Sequence, residues 1–399
     1  MLFGLPSWLL IFPVLGFLVF IHELGHFVTA KLFGIKVLEF GFGFPLRMVG
    51  FTYRGTIYSL NWLPFGGFVK MAGEEDPTDP QSFARQHPAK RSVVLVAGSF
   101  MNFLFPIVVF TTLFTLPHDV PVGTVVITGV EPNSPAHQAG LRSQDVVLEA
   151  NGAPVKTHID LAQVINSNLG KQVQLTVRRT VIVSGLPFSP DTAPVENVTV
   201  VPRLNPPTRT VVETVTDPAT QIPLVEAQRL NPNVKLGNKW KEGAVGVRIG
   251  TANVHMVKES FPIWESVPMA FGQVWEVIVL TKNGFTQWFA GGPDPGLAGP
   301  VGIAQVTGEV AEVGGLMPIL ELMALLSISL CIINVLPIPA LDGGRLLFVV
   351  IEWVRRGKRI SPEREGLVHM VGFIVLIGLI VVISYRDIIK IINGESFLR

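Results

Sequence analysis

The chain has 399 residues, 31 Lys+Arg against 30 Asp+Glu, a net charge of +1, and only 15% charged residues against 48% hydrophobic ones. This composition excludes a disordered chain, which needs few apolar residues and many charges. It also excludes an electrostatic nucleic-acid binder, because there is no excess of positive charge to meet phosphates. The single cysteine, Cys331, lies in an apolar run, so no intramolecular disulfide forms and cysteine usage says nothing about redox compartment.

Four charge-free runs reach the roughly 20 residues that a membrane-spanning helix needs. They are Met1 to Ile21, Ser92 to Pro117, Leu322 to Leu341 and Gly366 to Tyr385. The first has neither a basic start nor a small-residue cleavage site, so it reads as a retained helix continuing to about Lys31 rather than a signal peptide. Lys31 to Arg91 holds eight Lys+Arg, and Arg345, Arg355, Arg356, Lys358, Arg359 and Arg364 cluster between the last two spans. Basic flanks mark the cytoplasmic side. The expectation is a multi-pass protein of the inner (plasma) membrane with both termini, and the long segment from His118 to about Gly315, outside.

Between the first two spans, Val37 to Phe44 and Tyr53 to Leu63 are aromatic-rich and extended in character, which predicts a β-hairpin at the membrane interface or in a protected hollow. Val122 to Arg203 reads as β-rich, with strands at Gly123 to Gly129, Asp145 to Glu149, Gln172 to Arg178 and Val195 to Val201. Ser134 to Leu141 and Ile159 to Ser167 read as short helices. Pro206 to Pro223 reads as a linker, and Gly243 to Gly250 as one more strand. Phe261 to Phe289 is rich in Trp, Phe, Val and Met but carries Glu265, Glu276 and Lys282, which favours an amphipathic helix near the outer leaflet over a fifth span.

The chemistry is concentrated in His22-Glu23-Leu24-Gly25-His26, an H-E-x-x-H pattern. On a helix the two imidazoles share a face and can hold one Zn²⁺, with Glu23 placed as general base. Two histidines and a carboxylate at the end of an apolar helix are costly unless they function. A catalytic zinc takes a third protein ligand. Glu39, Glu74, Glu75 and Asp76 are candidates, but Asp342 is the better one, because it closes the third span at the depth expected for the histidines. Its competing role is a helix cap. Asn334 lies in the third span, and Gly98 to Asn102 forms a small-residue face with an amide in the second. Each taken alone reads as helix packing.

These residues together resemble the site-2 protease family of intramembrane zinc metalloproteases, and most closely its bacterial regulator-of-sigma-E protease type. The motifs carrying the resemblance are His22 to His26, Gly98 to Asn102, Asn334 to Gly344, and Leu63 to Met71, which is similar to the family's segment after its membrane-associated hairpin. Leu297 to Ile303 is similar to the segment before the third span. The resemblance implies His22, His26 and Asp342 as zinc ligands, Glu23 as the catalytic residue and Asn334 as a substrate-positioning residue, with Asn102 a weaker candidate for the same task. Gly123 to Asp145 followed by Asn151-Gly152 resembles a PDZ module. Leu204 to Gly250 departs from a clean second copy.

The expected architecture is a polytopic α-helical membrane protein with about four transmembrane helices, a membrane-associated β-hairpin and an extracytoplasmic PDZ-like α+β domain. The expected segments are 1–34 (first span and zinc motif), 35–91 (hairpin and loop), 92–117 (second span), 118–203 (PDZ-like), 204–315 (linker, extra strand, amphipathic helices), 316–344 (third span), 345–365 (basic loop) and 366–399 (fourth span and tail). The expected activity is zinc-dependent cleavage of single-span membrane proteins, with an anti-sigma factor or a remnant signal peptide as candidate substrates. The expected partners are those substrates, the lipid bilayer and a peptide or protein ligand of the PDZ-like domain, with no nucleic acid. A silent membrane scaffold is disfavoured by the intact H-E-x-x-H and Asp342. A metal transporter is disfavoured by the absence of internal repeats.

Overall fold

A computed structural model describes residues 6–74, 79–183, 186–188, 193–217, 220–230, 234–291, 296–313 and 315–393. In chain order, a short 3₁₀ turn leads into α1 (Ile11–Leu32), β1 (Val37–Tyr53), β2 (Thr56–Met71) and α2 (Pro88–Thr115). Then come β3 (His118–Val130), α3 (Pro135–Gln138), β4 (Val146–Ala150), β5 (Ala153–Pro154), α4 (His158–Ser167), β6 (Val173–Arg178), β7 (Val181–Val183), β8 (Leu186–Phe188) and β9 (Val195–Val200). They are followed by β10 (Thr208–Val212), β11 (Gln221–Pro223), α5 (Leu224–Leu230), β12 (Lys239–Lys241) and β13 (Val247–Glu259). The chain closes with α6 (Ile263–Phe289), α7 (Pro300–Val313), α8 (Leu316–Val335), α9 (Asp342–Val354) and α10 (Pro362–Ile392). Two compact units result: 1–116, 261–278 and 296–399 form one, and 117–260 and 279–295 the other.

In the first unit, four helices among the described residues are long and apolar enough to cross a membrane: Ser7–Leu32, Pro88–Thr115, Leu316–Val335 and Pro362–Ile392. At 1.5 Å per residue, even the shortest of the four spans about 30 Å, the thickness of a hydrocarbon core. As expected from the sequence, α1 runs on through the H-E-x-x-H motif to Leu32. The third span begins earlier than the charge-free run, because Glu321 is accommodated within α8. The first part of α6 buries Ser266, Ala270 and Val274, and the last two pack with Ile107, Phe110, Ala324 and Ile328.

Two elements of the first unit depart from the sequence reading. The hairpin is longer than expected, turning at Arg54-Gly55, both with positive φ, and its second strand continues through Leu63 to Met71. The hairpin also folds on itself. Phe40 lies opposite both Val69 and Tyr58, while Phe51 lies opposite Tyr58 on the latter's other side. Four extended segments therefore stand in the order 63–71, 37–44, 56–61, 47–53. Phe40 stacks on Phe27 of α1 at 4.5 Å, which seats this sheet against the helix that carries the histidines. The second departure is α9, which turns part of the basic 345–365 stretch into a helix. It buries Gly343, Gly344, Val349 and Glu352.

The second unit is built on a sheet ordered β13-β3-β4-β6-β9, with β5 paired to β4. Alternating residues of β6, Val173, Leu175 and Val177, turn inward to meet Val125, Ile127, Val147, Leu161 of α4 and Val198. α4 starts on a capping box in which Thr157 and Asp160 satisfy each other's backbone N–H groups. The strand expected near 243–250 is β13, which pairs antiparallel with β3 along its whole length, so the sheet recruits residues well past 203. The stretch 206–223, read from the sequence as a linker, instead supplies β10 and β11, which with β12 make a separate sheet ordered β11-β10-β12 over Val211, Ile222, Ala227 and Val234.

Candidate metal centre

His22 and His26 are one helical turn apart on α1 and both are buried. Neither ring is free to rotate. His26 Nδ1 donates to the Val94 carbonyl of α2 at 2.7 Å, which fixes its proton on Nδ1 and leaves the Nε2 lone pair facing inward. His22 Nδ1 lies 3.3 Å from the side-chain amide of Asn102, a residue with no solvent exposure. The Oδ1 atom of that amide is buried without a partner among the described residues. Turning the amide over presents this oxygen to a protonated His22 Nδ1, so both rings can direct Nε2 to the same point.

The space for this arrangement comes from Gly98. A Cβ there would stand 2.6 Å from His22 Nε2 and would overlap His26 Nε2 as well. Gly98 and Asn102 are themselves one turn apart on α2, so one face of that helix supplies both the room and the amide.

Asp342 arrives from a chain segment more than three hundred residues later. The α8 helix ends at Val335, before Pro337 and Pro339, which cannot continue it. The chain then folds back: Ile338 N–H bonds to Leu336 O at 2.7 Å, Leu341 N–H to Ile338 O at 3.2 Å and Gly344 N–H to Leu341 O at 3.0 Å. Gly343 and Gly344 pack so closely on the backbone of Leu336 and Ile338 that neither position has room for a Cβ. Asp342 is thereby placed as the first residue of α9, with its carboxylate turned to the histidines.

The result is a small triangle of acceptor atoms. Asp342 Oδ2 lies 2.8 Å from His22 Nε2 and 3.1 Å from His26 Nε2, and the two Nε2 atoms are 3.1 Å apart. A proton on one nitrogen would satisfy one edge of this triangle, whereas a divalent cation satisfies all three. Two imidazole nitrogens and one carboxylate oxygen are donors that would hold a zinc ion, one ligand short of the four that close a structural zinc site. The residues present therefore fit a catalytic rather than a closed structural site. One ligand atom each from His22, Glu23 and His26 also falls within a 4.8 Å cluster. Glu23 is held from the other side, where its Oε2 accepts the Val69 N–H of β2 at 3.1 Å.

The other sequence candidates lie elsewhere. Glu39 pairs with Arg47 at 2.7 Å and Glu74 with Arg345 at 3.2 Å, while Glu75 and Asp76 fall outside the described residues. Asn334 is half-buried in the last turn of α8, just before the segment that carries Asp342. Asn102 reaches His22 rather than an open surface. The roles of Val94 and Val69 escaped the sequence reading, because backbone groups leave no residue signature. The i,i+4 spacing of Gly98 and Asn102 was the one signal for the α2 contribution.

Comparison with known proteins matches residues 10–379 to "Peptidase family M50". A Clostridium perfringens protein named "Putative zinc metalloprotease" is 32% identical over 384 residues, covering 95% of this chain and 98% of that protein. A Rhizobium meliloti protein of the same description is 29% identical over 403 residues, covering 97% and 96%. "Zinc metalloprotease RasP" of Geobacillus kaustophilus is 29% identical over 457 residues, covering 94% and 96%.

Proposed function

The chain belongs to peptidase family M50, and from that premise we propose that it is a zinc metalloendopeptidase that cleaves single-span membrane proteins within or at the edge of the bilayer. The observation that carries this reading is the meeting of His22, His26 and Asp342 at mutual distances of 2.8–3.1 Å, with Glu23 beside them, among helices apolar enough to span a membrane. In this reading the three residues are the zinc ligands. When bound, zinc supplies Lewis acidity toward the scissile carbonyl and makes a water acidic enough to lose its proton near neutral pH.

The protein's own groups do the rest. Glu23, oriented by the Val69 N–H, takes the proton of the attacking water and returns it to the departing amine. Val94 O accepts the His26 Nδ1 proton, and the Asn102 amide, turned over, would do the same for His22, so that each ring would direct its Nε2 lone pair at the metal. A peptide bond inside a membrane helix is already hydrogen-bonded and shielded, so the substrate must be locally extended before attack. The outer segment 63–71 of the folded hairpin ends beside Glu23 and offers a strand edge for that extended chain, and Asn334 binds the freed backbone.

The basic flanks support a cytoplasmic placement of this centre and an extracytoplasmic placement of both termini and of the second unit. We read the β13-β3-β4-β6-β9 sheet with α3 and α4 as a PDZ-like module that binds a peptide or protein ligand. Anti-sigma factors and remnant signal peptides fit the required single-span geometry.

The deciding test is Glu23→Gln in membranes or detergent with a single-span substrate. The variant should keep its zinc and lose cleavage. Undiminished cleavage in that variant would end the proposal.

A further inference from the structure

We infer that His369 of α10 is a positioning residue that holds the Asp342 turn in its ligating conformation. The inference rests on the reading of Asp342 as the third zinc ligand.

The starting point is Ala340, two residues before Asp342. Its φ is +80°, a left-handed conformation that is strained for an L-residue carrying a Cβ. Such a conformation persists only where surrounding contacts hold it. The neighbouring residues supply only part of the hold: Ile338, Leu341 and Gly344 bond within the turn, but the Ala340 N–H points out of it. That N–H donates to His369 Nδ1 at 2.9 Å.

The seat around this bond is shaped to receive the turn. Gly372 is one helical turn beyond His369, and a Cβ there would lie 2.8 Å from the Pro339 carbonyl oxygen and would overlap the Pro339 ring. The His369 ring is in turn packed against Phe348 of α9, with centroids 5.3 Å apart. α10 therefore touches both sides of Asp342, the turn before it through Ala340 and Pro339, and the helix after it through Phe348. Asp387, the one fully buried residue of α10, serves a different end, accepting the Gly299 and Gly302 N–H groups at the start of α7 at 2.8 and 2.9 Å. His369 thus has a task distinct from anchoring the helix. It acts on the metal site only through Asp342, as groups outside the ligand set do when they fix a ligand's direction.

The test compares the purified full-length protein with His369→Leu, His369→Asn, His369→Leu combined with Ala340→Gly, Gly372→Ala and Asp342→Asn. The readouts are zinc loss to a chelator, substrate cleavage and thermal unfolding. Asn places its Oδ1 where His369 Nδ1 stands, so it keeps an acceptor for the Ala340 N–H. His369→Leu should weaken zinc retention by about 10–100-fold. His369→Asn should stay close to wild type, and Ala340→Gly should recover part of the loss because glycine needs no tether to hold a positive φ. Equal zinc loss in the Leu and Asn variants would overturn the inference, as would wild-type retention in His369→Leu. If His369→Leu does not fold, Gly372→Ala decides, since pushing Pro339 away should also speed zinc loss and wild-type retention there would refute the role. Asp342→Asn keeping its zinc would overturn the ligand assignment and the inference together. Asp342→Asn losing zinc while His369→Leu retains it would remove the inference alone.

Discussion

Gly98→Ala isolates the geometry of the metal centre from the stability of the fold. In an α-helix the exchange is intrinsically favourable by about 1 kcal/mol, so α2 itself gains. The added Cβ, however, would stand 2.6 Å from His22 Nε2 and overlap His26 Nε2. Carbon and ring atoms pack at about 3.5 Å, so one or both imidazoles must move by roughly 0.9 Å. Metal–ligand distances tolerate only about 0.2 Å. A displacement near 1 Å at a reacting centre lowers turnover by about 100-fold. The expected outcome is a protein that still folds cooperatively, loses zinc to a mild chelator and cleaves substrate about 100-fold more slowly. Zinc content by atomic absorption, cleavage of a single-span substrate and thermal unfolding in detergent measure the three properties separately. Wild-type zinc retention with full cleavage in Gly98→Ala would refute the reasoning, because it would mean that the ligand nitrogens are not where α2 confines them.

Other consequences concern the frame around the site. Arg91 at the start of α2 bonds to Glu352 of α9 at 2.6 Å, both side chains are nearly inaccessible, and Arg359 also reaches Glu352 at 3.0 Å. Arg91→Leu leaves a buried carboxylate with half its partners and should cost about 3 kcal/mol, with Arg91→Leu/Glu352→Leu recovering part of it; equal unfolding temperatures for wild type and Arg91→Leu would contradict this. In the second unit, burial and the neighbouring Glu242 charge push the Glu131 carboxyl up to about 7, although Trp240 and the Arg203 and Arg209 guanidinium groups act the other way. The folded form then holds a proton that the unfolded chain releases near its ordinary value of 4.5, so the contribution is full below that value and is lost as pH rises through about 7. The loss should be on the order of 1–3 kcal/mol between pH 5 and 8. Glu131→Gln should flatten it, as read by hydrogen exchange of β3 and β13 amides corrected for intrinsic rates. An unchanged pH dependence in that variant would assign the effect elsewhere.

Legibility from sequence followed the range of the interactions involved. His22 and His26 were visible because a helix converts a spacing of four into a shared face. Asp342 was suggested by expected depth, since two apolar runs read as ending on one side of a bilayer would bring their polar ends level, and its carboxylate does lie beside both rings. The strands β3, β4, β6 and β9 were visible through period-two alternation, as in Val173, Leu175 and Val177. The folded hairpin was not legible, because one strand pairing on both edges, as Phe40 does with Val69 and Tyr58, depends on a return of the chain that no local pattern encodes. The helix α9 was hidden for a related reason. Its charged residues read as a loop until Glu352 is seen to be neutralised by Arg91 from a distant helix. The Val94 carbonyl and the Val69 N–H belong to the site through the backbone, and side-chain identity carries no trace of them.

The most direct measurement of the central claim is zinc X-ray absorption on the purified full-length protein, with Asp342→Asn beside it. The account predicts one zinc per chain, with two imidazole nitrogens and light oxygen ligands at about 2.0–2.1 Å and no sulfur, and loss of that zinc in the variant. A shell containing the Cys331 sulfur or a third imidazole, or a spectrum unchanged by Asp342→Asn, would contradict it.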